Sequence, residues 1–88
     1  VNSKGKLWFL YVVRCKDNTF YTGITTDITR RLNEHNSSKQ GAKYTKTRRP
    51  VKLVYWTSFK NRSEAQKAEY RFKKLNRTQK EKIINAMG

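Results

Sequence analysis

Five residues of the chain carry side chains suited to phosphate chemistry: Tyr11, Tyr21, Arg31, His35 and Glu69. Arg31 and His35 stand four apart, stacked on one face of any helix that contains both. A guanidinium fork can hold phosphoryl oxygens through parallel N–H bonds, and an imidazole beside it can move protons near neutral pH. A phenol has an ordinary pKa near 10. Tyr11 or Tyr21 therefore acts as a base at neutral pH only where neighbouring cations stabilise the phenolate. Glu69 supplies a hard oxygen ligand, and magnesium keeps several waters while using one or two carboxylates. With only six acidic residues in the chain, a two-metal centre built from several carboxylates is disfavoured, whereas one metal on Glu69 needs nothing more. Each residue also has a plainer reading. Glu69 can pair with Lys73 one turn on, Arg31 and His35 can be solvated helix residues, and the tyrosines can be core aromatics with hydroxyls at the edge. Cys15 is the lone cysteine, so no internal disulfide can form, and with no second candidate ligand near it a structural zinc site is not expected. A thiol nucleophile would need His35 beside it, and the hairpin tip keeps Cys15 away from the helix.

These groups can act together only if the elements between them gather them. Leu7 to Val13 is apolar at every residue and Phe20 to Ile24 nearly so, the pattern of strands covered on both faces. They read as a hairpin around Lys16-Asp17-Asn18. A two-residue loop would put Tyr11 and Tyr21 on opposite faces. A three-residue loop pairs Cys15 with Thr19, Val13 with Tyr21 and Tyr11 with Gly23, and puts both tyrosines on one face. That loop ends in a left-handed residue, which Asn18 tolerates, so the three-residue form is expected. Gly23, opposite Tyr11, leaves the ring uncrowded and the backbone approachable.

Thr25-Thr26-Asp27 offers caps for a first helix, with Ile28 and Leu32 as its apolar seam and its end near Asn36-Ser37-Ser38. Ser37 to Pro50 reads as a loop. From Lys39 to Lys52 there are six basic residues and no acid, with Tyr44 and Thr45 among them, a composition suited to phosphate and base contacts. Val51 to Phe59 is a third strand. Ser63 and Gln66 have capping-box spacing for a second helix with a stripe of Ala65, Ala68, Phe72 and Leu75. Thr78 and Glu81 repeat the box for a last helix with a seam of Ile83, Ile84 and Met87. The order β-β-α-β-α-α predicts a single α+β domain over residues 1–88, a small three-stranded, mainly antiparallel sheet flanked by helices.

The formal net charge is +15, with a pI near 10.4. So much like charge on a small surface destabilises the compact state and far exceeds what solubility needs. A polyanion, nucleic acid first, is the expected partner. No apolar run is long enough to span a bilayer, and no helix pairs a strong apolar face with a basic one, so no membrane partner is expected. The single thiol fits a reducing compartment, the cytoplasm.

The ordered set Phe9-Leu10-Tyr11, Tyr21-Thr22-Gly23, Arg31 and His35 resembles the signature of the GIY-YIG nucleases. Phe9 and Leu10 replace that family's first glycine and isoleucine, at packing positions. Glu69, in a helix after the third strand, resembles the family's metal-binding glutamate; Glu64, in the first turn, is the weaker candidate. Ala42-Lys43-Tyr44-Thr45, Arg49-Pro50-Val51 and Ala68-Glu69-Tyr70 with Lys73-Lys74-Leu75 look most like the small stand-alone bacterial branch, related to the catalytic subunit of structure-specific endonucleases. The resemblance implies hydrolysis of DNA phosphodiester bonds, in repair or recombination, with one Mg2+ or Mn2+ on Glu69. It further implies Tyr11, Tyr21, Arg31 and His35 as catalytic residues and a protein partner that sets substrate choice. The basic loop residues Lys43, Tyr44, Lys46, Arg48 and Arg49 would hold the nucleic-acid backbone, with Gly23, Arg30 and Lys73 as further contacts. A late polar residue of the family, often asparagine, has Asn76 as its available match, which can equally be a helix C-cap. The rival expectation is a non-catalytic nucleic-acid-binding module on the same scaffold. A third, an RNA- or ribosome-associated accessory protein, rests on charge alone.

Overall fold

The computed structural model describes residues 6–37 and 39–87. Two strands, β1 (Trp8–Arg14) and β2 (Phe20–Thr25), form the hairpin, and β3 (Lys52–Phe59) pairs with the far edge of β1. Both pairings are antiparallel, in the order β2-β1-β3. The hairpin takes the three-residue turn: the Cys15 N–H donates to the Thr19 carbonyl at 2.8 Å and Asn18 adopts φ 70°. Tyr11 therefore faces Gly23 and Val13 faces Tyr21 across the ladder. The left-handed residue is what a hairpin of this length requires, and asparagine meets that requirement at low steric cost.

As the central strand, β1 is buried along Leu10, Tyr11, Val12 and Val13, all at 3% exposure or less. Alternation divides these four residues between two faces. Leu10 and Val12 pack against Phe72 and Ile84, joined by Phe20, Ile24, Tyr55, Phe59 and Leu75. Tyr11 and Val13 pack instead with Cys15, Val51, Tyr21, Leu32 and Leu53. A bulge between Val12 and Val13 shifts the register with β3, so that Val12 faces Tyr55 and Val13 faces Leu53. The intervening Val54 joins the Phe72 side.

Among the described residues four helices complete the fold: α1 (Ile28–Ser37), α2 (Lys43–Lys46), α3 (Arg62–Lys73) and α4 (Arg77–Met87). Asp27 begins α1, its Oδ1 accepting the Arg30 N–H at 3.0 Å. The stretch expected as loop between α1 and β3 contains the single turn α2, too short to show a helical period in sequence. The two later helices start on asparagines rather than on the expected Ser63 and Thr78. Asn61 Oδ1 accepts the Glu64 N–H at 2.9 Å. Asn76 Oδ1 accepts the Gln79 N–H at 2.9 Å while Gln79 Oε1 accepts the Asn76 N–H at 3.0 Å. Asn76 is thus one half of a reciprocal capping box at the start of α4, not a C-cap of α3. Ala65, Phe72 and Ile84 are buried as the stripes predict. Met87, the last residue of α4, is 44% exposed and adds nothing to the seam. Among the described residues no helix is long and apolar enough to cross a membrane.

Candidate active site

The sheet face carrying Tyr11 and Tyr21 is where the chemically able side chains meet. Gly23 makes room for the first of them: a Cβ at position 23 would lie 2.6 Å from the Tyr11 hydroxyl, closer than any side chain can stand. Beneath that hydroxyl lies His35, in the last turn of α1 and 0% exposed. The Tyr11 hydroxyl and His35 Nε2 are 2.7 Å apart. The other ring nitrogen, Nδ1, lies 2.9 Å from Thr45 Oγ1 and 3.3 Å from the Ala42 N–H. Tyr21 meets the imidazole edge-on at 5.3 Å. On its other side Tyr21 stacks on Tyr44 at 6.0 Å.

Burial sets the protonation of this pair. It holds the His35 ring down at about 4, helped by the charge of Arg31 and opposed by Glu34, so His35 is neutral at pH 7. Burial likewise pushes the Tyr11 phenol up to about 12. The Arg31 guanidinium pulls the other way, while Tyr21 and Glu69 add to the rise. A Tyr11 phenolate is therefore not the resting species at neutral pH; the pair rests as phenol and neutral imidazole.

Arg31 sits one helical turn before His35. Its Nη1 donates to Glu34 Oε1 at 2.9 Å and to the Gln40 carbonyl at 2.8 Å. Burial works against its charge, but Glu34 and Tyr11 outweigh that and raise its pKa further. Both of these bonds use Nη1, so Nη2 and Nε retain donors for the phenol and for an oxyanion. Glu34 was not singled out from the sequence, and it is the group that neutralises Arg31 at rest.

Glu69 lies on α3, half-buried, close enough for its charge to act on the Tyr11 phenol. Its Oε2 is 3.3 Å from Lys73 Nζ, the one-turn ion pair of the plainer reading. Glu64 is exposed in the first turn of α3. Among the described residues no three of His, Cys, Asp and Glu gather into a cage for a metal. That donor set still fits magnesium or manganese held by one carboxylate, with water and substrate oxygens as the remaining ligands.

The basic loop divides into two kinds of residue. Lys43 and Lys46 are exposed at the ends of α2. Arg30 is exposed on α1, with Nε 3.9 Å from Glu34 Oε2. Arg48 and Arg49 are braces. Arg48 Nε donates to Asp17 Oδ2 at 2.9 Å, its Nη1 donates to the Tyr44 carbonyl at 2.9 Å, and its guanidinium lies 3.9 Å from the centre of the Tyr44 ring. With the Lys16 N–H donating to the Arg48 carbonyl at 2.9 Å, it clasps α2 to the hairpin tip. Arg49 donates to the His35 and Glu34 carbonyls at the end of α1. Asn36 adds a two-bond clamp, donating to the Val51 carbonyl at 3.1 Å and accepting the Val51 N–H at 2.6 Å. Its side-chain amide there imitates a neighbouring strand, a role that residue type alone does not reveal.

The same arrangement connects the chain to known proteins. A family model described as the GIY-YIG catalytic domain matches residues 7–82. A UPF0213 protein of Desulfotalea psychrophila is 56% identical over 79 residues, covering 90% of this chain and 72% of that protein. The UPF0213 protein YazA of Bacillus subtilis is 55% identical over 76 residues, covering 86% of this chain and 76% of its own length. Two solution NMR structures share the fold. That of a protein of E. faecalis has a TM-score of 0.65 at 49% identity, and that of a UPF0213 protein of Bacillus halodurans has 0.61 at 41%. Each match covers 93% of this chain and 86% of the solved one.

Proposed function

This chain belongs to the GIY-YIG catalytic-domain family, and we propose that it is a magnesium- or manganese-dependent endonuclease hydrolysing DNA phosphodiester bonds in repair or recombination. The family's domains are generally nucleases acting on nucleic acid. The observation that carries the reading is the buried pair of Tyr11 and neutral His35, 2.7 Å apart with Arg31 alongside.

In the proposed reaction Tyr11, held by its bond to the neutral His35, orients the attacking water, whose proton passes to solvent. The water O–H breaks, the new O–P bond forms, and the P–O bond to the leaving strand breaks. The leaving oxygen is protonated from solvent. A free phenolate is never required, which a phenol at about 12 would not supply at pH 7. Arg31 places its remaining donors on the phosphoryl oxygens as negative charge builds there. Tyr21, wedged between His35 and Tyr44, holds the imidazole and the phosphate side of the pocket in place. Glu69 would hold the metal, which when bound supplies charge stabilisation at the scissile phosphate. Lys43, Lys46, Arg30 and Lys73 are the exposed cations that would follow the strand, so binding weakens steeply with salt.

The test is Glu69→Ala against branched and linear DNA, with magnesium, manganese or chelator. Wild type is expected to cleave with either metal and not with chelator, and the variant to lose cleavage while binding changes little. Wild-type binding without cleavage anywhere in that panel would leave the second reading, a non-catalytic binding module. The Glu69–Lys73 pair at 3.3 Å is the observation in its favour, since it already satisfies the carboxylate.

A further inference from the structure

Tyr11 stands directly opposite Trp56 of β3 across the ladder, and Phe9 stands opposite Ser58. Opposed residues project to the same side of a sheet, and so do residues two apart on one strand. Phe9, Tyr11 and Trp56 therefore share one face. The Phe9 and Trp56 rings meet edge to face, with centroids 5.9 Å apart. His35 and Leu32 of α1 cover this face at Tyr11, Val13 and Tyr21. Trp56, on the outer strand of the sheet, is left 43% exposed.

A single exposed apolar residue is ordinary; what sets Trp56 apart is its bare ring. Three aromatic rings are exposed among the described residues, those of Tyr44, Trp56 and Tyr70. The Arg48 guanidinium lies 3.9 Å from the centre of Tyr44, and the Lys74 ammonium lies 4.4 Å from that of Tyr70. Among the described residues no cation lies over Trp56, in a chain with 21 lysines and arginines. We propose that Trp56, propped by Phe9, is a stacking platform for an unpaired base of a DNA strand held at Tyr11, so that the site prefers strands with unpaired bases.

An indole stacks on any base, because every base has a π-face. Within a duplex both faces of a base are already covered by its neighbours, and only an unstacked base can offer one. Facing residues of an antiparallel pair have Cα atoms about 4.5–5.5 Å apart, which sets the indole next to the phenol and within a nucleotide's reach of a phosphate bound there. Charge selects the occupant. A formal net charge of +15 on each molecule opposes a second copy on this face and draws in a polyanion.

The placement of the strand rests on the nuclease reading, but binding is measured with chelator and needs no cleavage. Single-stranded DNA should quench the tryptophan fluorescence of the wild type, and blunt duplex of the same sequence should quench it little. Trp56→Phe keeps Trp8, which points to the opposite face of β1, and should lose the response. At one salt concentration, Trp56→Ala should raise the Kd for the single strand about fivefold to 100-fold and change that for duplex less than about twofold, with Trp56→Phe in between. Equal quenching by both DNA forms overturns the inference, as does a loss in Trp56→Ala that both forms share equally. Self-association of the wild type that Trp56→Ala abolishes also overturns it, since a second copy would then be the occupant. Should Trp56→Ala not fold, the fluorescence of the wild type and of Trp56→Phe decides by the same criteria. A wild type that quenches as expected yet cleaves nothing keeps the platform and counts against the nuclease reading alone.

Discussion

The two faces of β1 differ by a single residue step. On one, Leu10 and Val12 meet Phe72 and Ile84 across an apolar layer in which Tyr55 stacks on Phe72 at 6.0 Å. On the other, Tyr11 and Val13 lie under α1 and its loop, and the buried groups include His35 and Thr45 at 0% exposure. The first face is held by area removed from water and tolerates any shape that fills it. The second is held by directed bonds, each needing a particular atom at a particular distance. The chain can maintain such a polar cluster because the opposite side of the same strand supplies apolar packing that needs no polar partner.

That contrast can be broken from either side. The largest effect is expected from Tyr11→Phe, which removes the hydroxyl that would orient the attacking water. Cleavage should fall by about 10²- to 10⁴-fold, measured as single-turnover rates, with thermal unfolding showing a smaller loss from leaving Nε2 without its partner. Next comes Phe72→Ala on the apolar face. It should lower stability by about 3–5 kcal/mol in denaturant titration, while the cleavage rate per folded molecule stays near wild type. A large rate loss in that variant would mean that the two faces are not independent.

The smallest effect is a pH dependence confined to the polar face. His35 titrates at about 4 when folded and ordinarily at 6.5. Above 6.5 it is neutral in both states, and as pH falls below that the unfolded chain takes up the proton first. Stability is therefore lost as pH drops from 6.5 toward 4, levels below that, and the whole change is on the order of 3 kcal/mol. Comparing the unfolding free energies of wild type and His35→Asn between pH 7.5 and 4 isolates it.

The apolar face and the hairpin were legible in the sequence because their signals are periodic or local. Loop length and the tolerance of Asn18 for positive φ settle the register of Tyr11 and Tyr21, and spacing from Ala65 gives the stripe of α3. Capping was less legible. Ser63/Gln66 and Thr78/Glu81 have the spacing, but Asn61 and Asn76 stand just upstream and asparagine caps as well as serine does. The loop was the least legible part. Four residues of α2 carry no period, and the partners of Thr45, Arg48 and Arg49 are set by tertiary contact. Arg48 and Arg49 in particular read as phosphate ligands by composition, whereas their guanidiniums engage Asp17, Tyr44 and the end of α1. Residue type, spacing and resemblance together brought Tyr11, Arg31, His35 and Glu69 forward, whereas none of them singled out Glu34.

Gly23 also gauges the width of the pocket. Since even a methyl there would collide with the phenol oxygen, the β2 backbone walls off that side of Tyr11. On its other side the phenol oxygen lies 2.7 Å from His35 Nε2. Its aim is thus enforced from behind by bare main chain, which cannot swing aside as a side chain would.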